Sequence, residues 1–198
     1  MNVPAAQTDP FAARSGMPEG IRYLPDVLSV EEEQALAHEL ANLPFKPFDF
    51  HGFLAKRQVV SFGRRYDYGR RAVVEAEPFP AFLEPLRRKV AAIFDRPADA
   101  FQQALINEYR PGAGIGWHRD KAQFDEVVGV SLLAPCSLRF RRKAGQTWER
   151  ASLTVEPRSA YLLSGPARTV WEHSIPALGH LRYSITLRTL VPTVFGQL

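Results

Sequence analysis

From Asn107 the chain reads Asn-Glu-Tyr-Arg-Pro-Gly-Ala-Gly-Ile-Gly-Trp-His-Arg-Asp and closes on a His-x-Asp pair at His118 and Asp120. Residues two apart on a strand project to one face, so this pair can present an imidazole and a carboxylate to a single metal ion. Asn107 and Tyr109 share a face by the same rule. A His-x-Asp pair alone is a weak signal, and its weight comes from residues further along the chain. His173, in Trp-Glu-His-Ser-Ile-Pro, supplies a second imidazole. Two imidazoles and one carboxylate leave coordination positions open, which suits non-haem Fe(II). His180, seven residues beyond His173, competes for the place of the second imidazole. Arg182 and Arg188 stand six apart in Arg-Tyr-Ser-Ile-Thr-Leu-Arg. Six is even, so both guanidiniums face one side of a strand, as a dicarboxylate ligand would require, and Ser184 adds a hydroxyl there. An exposed ladder on an edge strand is the plainer alternative. Against it, Tyr183, Ile185 and Leu187 alternate on the other face, which implies burial on both sides, and a buried arginine pair without an anion would be costly.

The elements that must position these groups are legible in part. Ser29-Val-Glu-Glu32 is a capping box, and Leu36, Leu40 and Leu43 recur at helical spacing, which predicts a helix over about Val30 to Ala41. Its His38 is expected to be a surface or packing histidine. A second helix is expected over Pro80 to Phe94, with Phe82, Leu83, Leu86, Val90 and Ile93 on one stripe, as cover for a sheet. From Phe101 onward the pattern changes to short strand-like runs at 103–109, 127–133, 137–142, 151–155, 159–163 and 182–190. Ile21 to Leu28 is expected to be extended. Helices gathered at the front and many short strands behind them predict a mainly β protein of jelly-roll type with flanking helices. Between Lys56 and Arg71 six residues in sixteen are basic, interleaved with Phe62, Tyr66 and Tyr68. Such a segment can supply phosphate contacts and base-stacking surfaces, or be a solvated hairpin. A second basic cluster, Arg139, Arg141, Arg142 and Lys143, is equally a phosphate track or the solvent face of a strand.

Composition sets the bounds. A chain of 198 residues with 45% hydrophobic and 23% charged residues makes one domain with a proper core. A formal charge of +4 leans towards an anionic partner such as nucleic acid. The single cysteine, Cys136, excludes an internal disulfide and a cysteine-based zinc site, and is expected in the core. No apolar run is long enough to span a membrane, and no secretory signal is visible. The expectation is a cytoplasmic monomer with a flexible N-terminal arm over residues 1–20.

Taken in order, Asn-x-Tyr, His-x-Asp, His and Arg-x5-Arg resemble the AlkB family of iron(II)/2-oxoglutarate dioxygenases, in outline over about Ile21 to Leu190 and most sharply from Asn107 to Arg188. The resemblance implies one domain over residues 21–198, a double-stranded β-helix (jelly roll) core buttressed by N-terminal helices. It implies Fe(II) on His118, Asp120 and His173. It places the distal carboxylate of 2-oxoglutarate on Arg182, assisted by Tyr109 and Asn107, and Arg188 near the groups that chelate the metal. The chemistry implied is oxidation by O2 coupled to release of carbon dioxide and succinate, with hydroxylation of an unreactive methyl group. On nitrogen, the hydroxymethyl product collapses to formaldehyde and the bare amine. Residues 45–75 correspond to a substrate-recognition lid, with Arg65, Tyr66 and Tyr68 meeting alkylated DNA or RNA flipped towards the metal. Several DNA-repairing members carry an acidic residue two positions after the motif aspartate, where this chain has Ala122. A protein side chain or small molecule is therefore the alternative substrate, and a jelly-roll binding module without turnover the alternative class.

Overall fold

The computed structural model describes residues 16–50 and 53–192. Most of the expected N-terminal arm, residues 1–15, lies outside the described residues, as do 51–52 within the expected lid. Gly16–Gly20 at the end of the arm are fastened: Met17 packs on the core, and Glu19 and Gly20 accept backbone hydrogen bonds from Ala167 and Ser164.

The chain opens with strand β1 (Ile21–Leu24) and helix α1 (Val30–Ala41). The capping box forms as the sequence predicts. Ser29 Oγ accepts from Glu32 N at 3.2 Å, and the Glu32 carboxylate accepts from Ser29 N at 2.8 Å. Strands β2 (Lys46–Phe50), β3 (Phe53–Phe62), β4 (Arg64–Asp67) and β5 (Ala72–Glu75) come next. The second helix, α2 (Glu84–Ile93), starts later than its apolar stripe predicts, because Ala81–Leu83 form a single 3-10 turn ahead of Pro85. The remaining strands are β6 (Gln103–Tyr109), β7 (Ile115–His118), β8 (Phe124–Leu132), β9 (Cys136–Ala144), β10 (Thr147–Val155), β11 (Ala160–Leu163), β12 (Glu172–Ile175) and β13 (Arg182–Leu190), with the short helix α3 (Gly165–Thr169) before β12. The sequence pattern outlines no element at α3, β7 or β12. Each is only four or five residues long, too short for a period to emerge.

Seven strands form one sheet in the order β1-β11-β8-β13-β6-β3-β2, and four form a second in the order β10-β9-β12-β7. Strands β4 and β5 make a separate two-stranded ribbon. The large sheet sorts its side chains by parity. Ala104, Ile106, Val128, Val130, Leu132, Leu162, Ile185 and Leu187 point outward and meet Leu36, Leu40, Leu86, Val90 and Phe94 from the two helices. The opposite face sends Val127, Tyr161 and Leu163 towards Leu138, Phe140, Leu153, Val155 and Ile175 of the small sheet. The fold is a jelly roll, a double-stranded β-helix buttressed on one side by helices. At the middle of the large sheet, β13 is buried along both faces, as its alternating sequence implied.

One close approach shapes the space between the sheets. Tyr161 stands opposite Gly129 in the register of β11 and β8, and its ring lies across the glycine. A methyl group added at Gly129 would fall 2.3 Å from Tyr161 Cζ. Gly129→Ala should therefore lower the unfolding free energy by about 1–3 kcal/mol, the usual penalty of overpacking a core. Urea denaturation checks this, and a loss below about 0.5 kcal/mol, the level of a neutral surface change, would show that the ring moves aside freely.

Candidate active site

A cavity of about 910 Å³ opens between the two sheets. Its metal-binding candidates come from three places in the chain. His118 ends β7, and the antiparallel register of β7 with β12 sets His173 directly opposite, with ring centroids 4.2 Å apart. Asp120 lies two residues beyond the end of β7, so its place beside His118 is set by the turn and not by continued strand alternation. His173 Nε2 is 3.7 Å from Asp120 Oδ2. His118 Nδ1 donates to Gly116 O at 2.9 Å, which leaves the Nε2 lone pair free to bind a metal. Burial pulls the His173 imidazole down to about 3, with His118 adding to the effect, and burial likewise lowers His118 against the pull of Asp120. Both rings are neutral at pH 7, the form that ligates metals.

Asp120 remains an anion for a different reason. Burial pushes its carboxyl up, but the guanidiniums of Arg188 and Arg168 outweigh that and hold it well below the usual carboxylate range. Its Oδ1 accepts from Arg188 Nε at 3.1 Å and Nη2 at 2.6 Å, and Arg188 Nη1 donates to Gln103 Oε1 at 2.9 Å. Among the described residues no three His, Cys, Asp or Glu side chains are drawn together at metal-ligand spacing.

Beneath the cavity, Arg182 is 0% exposed. Its Nε donates to Ser131 Oγ at 2.9 Å and its guanidinium carbon lies 5.3 Å from the Tyr109 ring centroid. Both terminal nitrogens are without a hydrogen-bond partner among the described residues, as is Asp120 Oδ2. A fully buried guanidinium with two idle donors is expensive, and a carboxylate brought to it would satisfy both. The orphaned carboxylate oxygen beside two neutral imidazoles suits a cation. These donors fit a metal ion and a dicarboxylate held in one cavity.

The model of the 2OG-Fe(II) oxygenase superfamily matches residues 20–188. The chain belongs to that superfamily. Within it the oxygenase is AlkB-like. It is 33% identical over 181 residues to the "Alkylated DNA repair protein ALKBH8 homolog" of Arabidopsis thaliana, covering 79% of this chain and 51% of the relative. It is 28% identical over 170 residues to mouse "tRNA (carboxymethyluridine(34)-5-O)-methyltransferase ALKBH8", covering 80% and 24%. With mouse "DNA oxidative demethylase ALKBH2" the identity is 27% over 173 residues, covering 73% and 70%. The chain thus spans about half the length of the Arabidopsis relative and a quarter of the mouse ALKBH8. Its fold matches OsALKBH1 with a TM-score of 0.67 at 16% identity, over 87% of this chain and 97% of the other. A 2OG-Fe(II) oxygenase from Burkholderia pseudomallei superposes with a TM-score of 0.60 at 16% identity, over 86% and 85%. The oxygenase is a dioxygenase that uses Fe(II), 2-oxoglutarate and O2.

The fold brings most of the residues singled out in the sequence to one place. His118, Asp120, His173, Asn107, Tyr109, Ser184, Arg188, Arg65, Tyr66 and Tyr68 all line the cavity of the oxygenase. Arg182 lies beneath it against Tyr109. His180 is exposed on the approach to β13 and is not among the lining residues, and His38 is exposed on α1.

Three contributors are not legible in the sequence. Arg57, counted in the basic run of the lid, is only 5% exposed: it lies 3.9 Å over the Phe48 ring and donates to Asn107 Oδ1 at 2.8 Å. A charge run carries no parity, and only its strand position with Val59 and Ser61 turns Arg57 inward. Gln103 steadies Arg188, a partnership visible only in the register of β13 with β6. Arg168 of α3, buried, donates through Nη2 to the carbonyl oxygens of Lys121 and Phe124 and so braces the turn after Asp120. Arg168→Ala should cost about 2 kcal/mol by leaving those carbonyls unpaired. It should also speed hydrogen exchange in residues 120–124, and unchanged exchange there would rule out the brace.

Proposed function

We propose that the oxygenase oxidatively dealkylates bases of DNA or RNA, with His118, Asp120 and His173 holding Fe(II) and Arg182 receiving the distal carboxylate of 2-oxoglutarate. The observation that carries the substrate reading is the mouth of the cavity. Tyr66 and Tyr68 meet edge to face at 5.1 Å, Phe48 meets Tyr68 at 6.1 Å, and Lys121 Nζ lies 4.7 Å from the Tyr68 ring centroid and 5.1 Å from that of Tyr66. Arg65 stands exposed beside them. Aromatic faces capped by a cation are a stacking place for a flipped base, with a guanidinium in reach of its phosphate. The segment carrying them, within residues 45–75, acts as the recognition lid in this reading. Relatives named as an alkylated DNA repair protein and a DNA oxidative demethylase support it.

Fe(II) and 2-oxoglutarate, when bound, supply the power to insert oxygen from O2 into a carbon–hydrogen bond. The chain's own groups place and shield. Arg182, with Tyr109 at its side, binds one carboxylate at the base of the cavity. Asn107 is held in position by Arg57, and Ser184 faces Asn107 across the register of β13 and β6. Arg188 keeps Asp120 anionic and oriented. The apolar walls Leu138, Leu163 and Ile175 exclude water from the reacting centre. Asp120 is the only carboxylate among the described residues that line the cavity, which favours a neutral alkylated base over a cationic one.

The test is succinate and formaldehyde release from the Fe(II)-loaded protein supplied with methylated DNA and RNA oligonucleotides. Formaldehyde should appear with an oligonucleotide, vanish in Asp120→Ala and His173→Ala, and persist in His180→Ala. Succinate without formaldehyde on every oligonucleotide would move the substrate to a protein side chain or small molecule. For the co-substrate, Arg182→Met should weaken 2-oxoglutarate binding about 10- to 100-fold, the worth of a pair of charge-assisted hydrogen bonds. Calorimetry that found wild-type affinity in this variant would remove Arg182 from the role.

A further inference from the structure

The helices cover the outer face of the large sheet, and among the described residues nothing comparable covers the outer face of the small one. Strands β9 and β10 pair in register and alternate cleanly. Leu138, Phe140, Leu153 and Val155 point into the core, while Arg139, Arg141, Lys143, Trp148, Arg150 and Ser152 share the outer face. Register sets Arg150 directly opposite Arg141, and Lys143 opposite Trp148. Like charges directly opposite one another destabilise a sheet, so the fold by itself does not favour this arrangement. The carboxylates nearby are already committed: Glu172 accepts from Arg141 at 2.7 Å and Glu149 from Arg142 at 2.6 Å. Among the described residues Lys143 and Arg150 enter no ion pair.

Two indoles interleave with these cations. The Arg141 guanidinium carbon is 4.5 Å from the Trp117 ring centroid and 4.4 Å from that of Trp148, and Arg139 lies 5.1 Å from Trp117. Trp148 is 41% exposed, one of few large apolar side chains so open. Trp117 also lines the cavity that holds His118 and Asp120. The face is therefore continuous with the mouth of the active site.

We propose that this face is a docking track for single-stranded nucleic acid, its phosphates on Arg139, Lys143 and Arg150 and its bases on Trp148 and Trp117, leading a strand to the cavity. The inference rests on the nucleic-acid reading of the active site and adds to it a second, sequence-tolerant binding surface. Positive charge interleaved with indoles, of which Trp148 is well exposed, matches a polymer that alternates phosphates and bases. A second copy of the chain fits poorly, since the same cationic face would meet itself.

Fluorescence polarisation with labelled oligothymidylate and oligouridylate of about 15 nucleotides, a length on the scale of single-strand binding sites, tests this over a series of salt concentrations. Lys143→Glu/Arg150→Glu should weaken binding at least tenfold and flatten the salt slope by about 1.4, the loss of two phosphate contacts on a single strand. Trp148→Ala should weaken binding about tenfold through lost stacking, with the salt slope kept. Both variants should release succinate from 2-oxoglutarate at the wild-type rate without an oligonucleotide, which establishes that they are folded. Wild-type affinity and slope in both variants would overturn the track while leaving the active-site reading intact. Failure of the wild-type protein to bind either oligonucleotide at low salt would overturn both. A dimer in sedimentation that dissociates in Trp148→Ala, with oligonucleotide binding unchanged, would assign the face to self-association and overturn the proposal as well.

Discussion

The active site depends on one buried ion pair. Asp120 and Arg188 meet with their side chains 6% and 10% exposed, at a distance of 2.6 Å. A buried pair of this kind roughly breaks even between Coulomb attraction and lost hydration, so its contribution to stability is small. Its contribution to geometry is large. Arg188 belongs to the central strand of the large sheet and Asp120 to the turn after an edge strand of the small one, so the bond ties the two sheets together at the cavity. It also keeps a carboxylate ionised and oriented beside two imidazoles that burial keeps neutral.

The charge balance around that pair explains what the cavity accepts. Arg57 and Arg188 are buried on its walls and Arg182 lies beneath it against Tyr109, and among the described residues that line the cavity Asp120 is the one carboxylate that opposes them. The surplus is positive, and in Arg182 it includes two donors left without partners. A protein interior tolerates such a surplus when an anion completes it. In the function proposed above the co-substrate is that anion, and its two carboxylates offset part of the surplus.

The sandwich also divides labour between its sheets. Helices bury the outer face of the large sheet, so its strands can be apolar on that side and present Arg182, Ser184, Thr186 and Arg188 on the other. The small sheet brings two of the three metal-ligand candidates on adjacent strands, the edge strand β7 and its neighbour β12, and the turn after β7 brings the third. Its outer face, left open, carries the arginines and tryptophans that continue to the cavity mouth. The chain spans about half the length of its Arabidopsis relative.

The sequence alone determined whatever rests on neighbours within a few positions. The capping box that starts α1 is a contact between Ser29 and Glu32, and the two-residue period of β13 separates Arg182, Ser184 and Arg188 from Tyr183, Ile185 and Leu187 without reference to any other strand. The residue types of the site, and with them the Fe(II) and 2-oxoglutarate chemistry, were legible for the same reason and through the order of the motifs. The order of the motifs favours His173 over His180, but only tertiary structure brings it into the cavity, through the pairing of β12 with β7 that sets it opposite His118. Tertiary structure decided that Arg57 is buried while its neighbour Lys56 is exposed, because inward and outward have no meaning until β3 has joined β6. It decided, too, that Arg168 braces the turn after Asp120 across 44 to 47 residues of chain. Each of these depends on long-range register, and a register is a property of paired strands that no single segment carries.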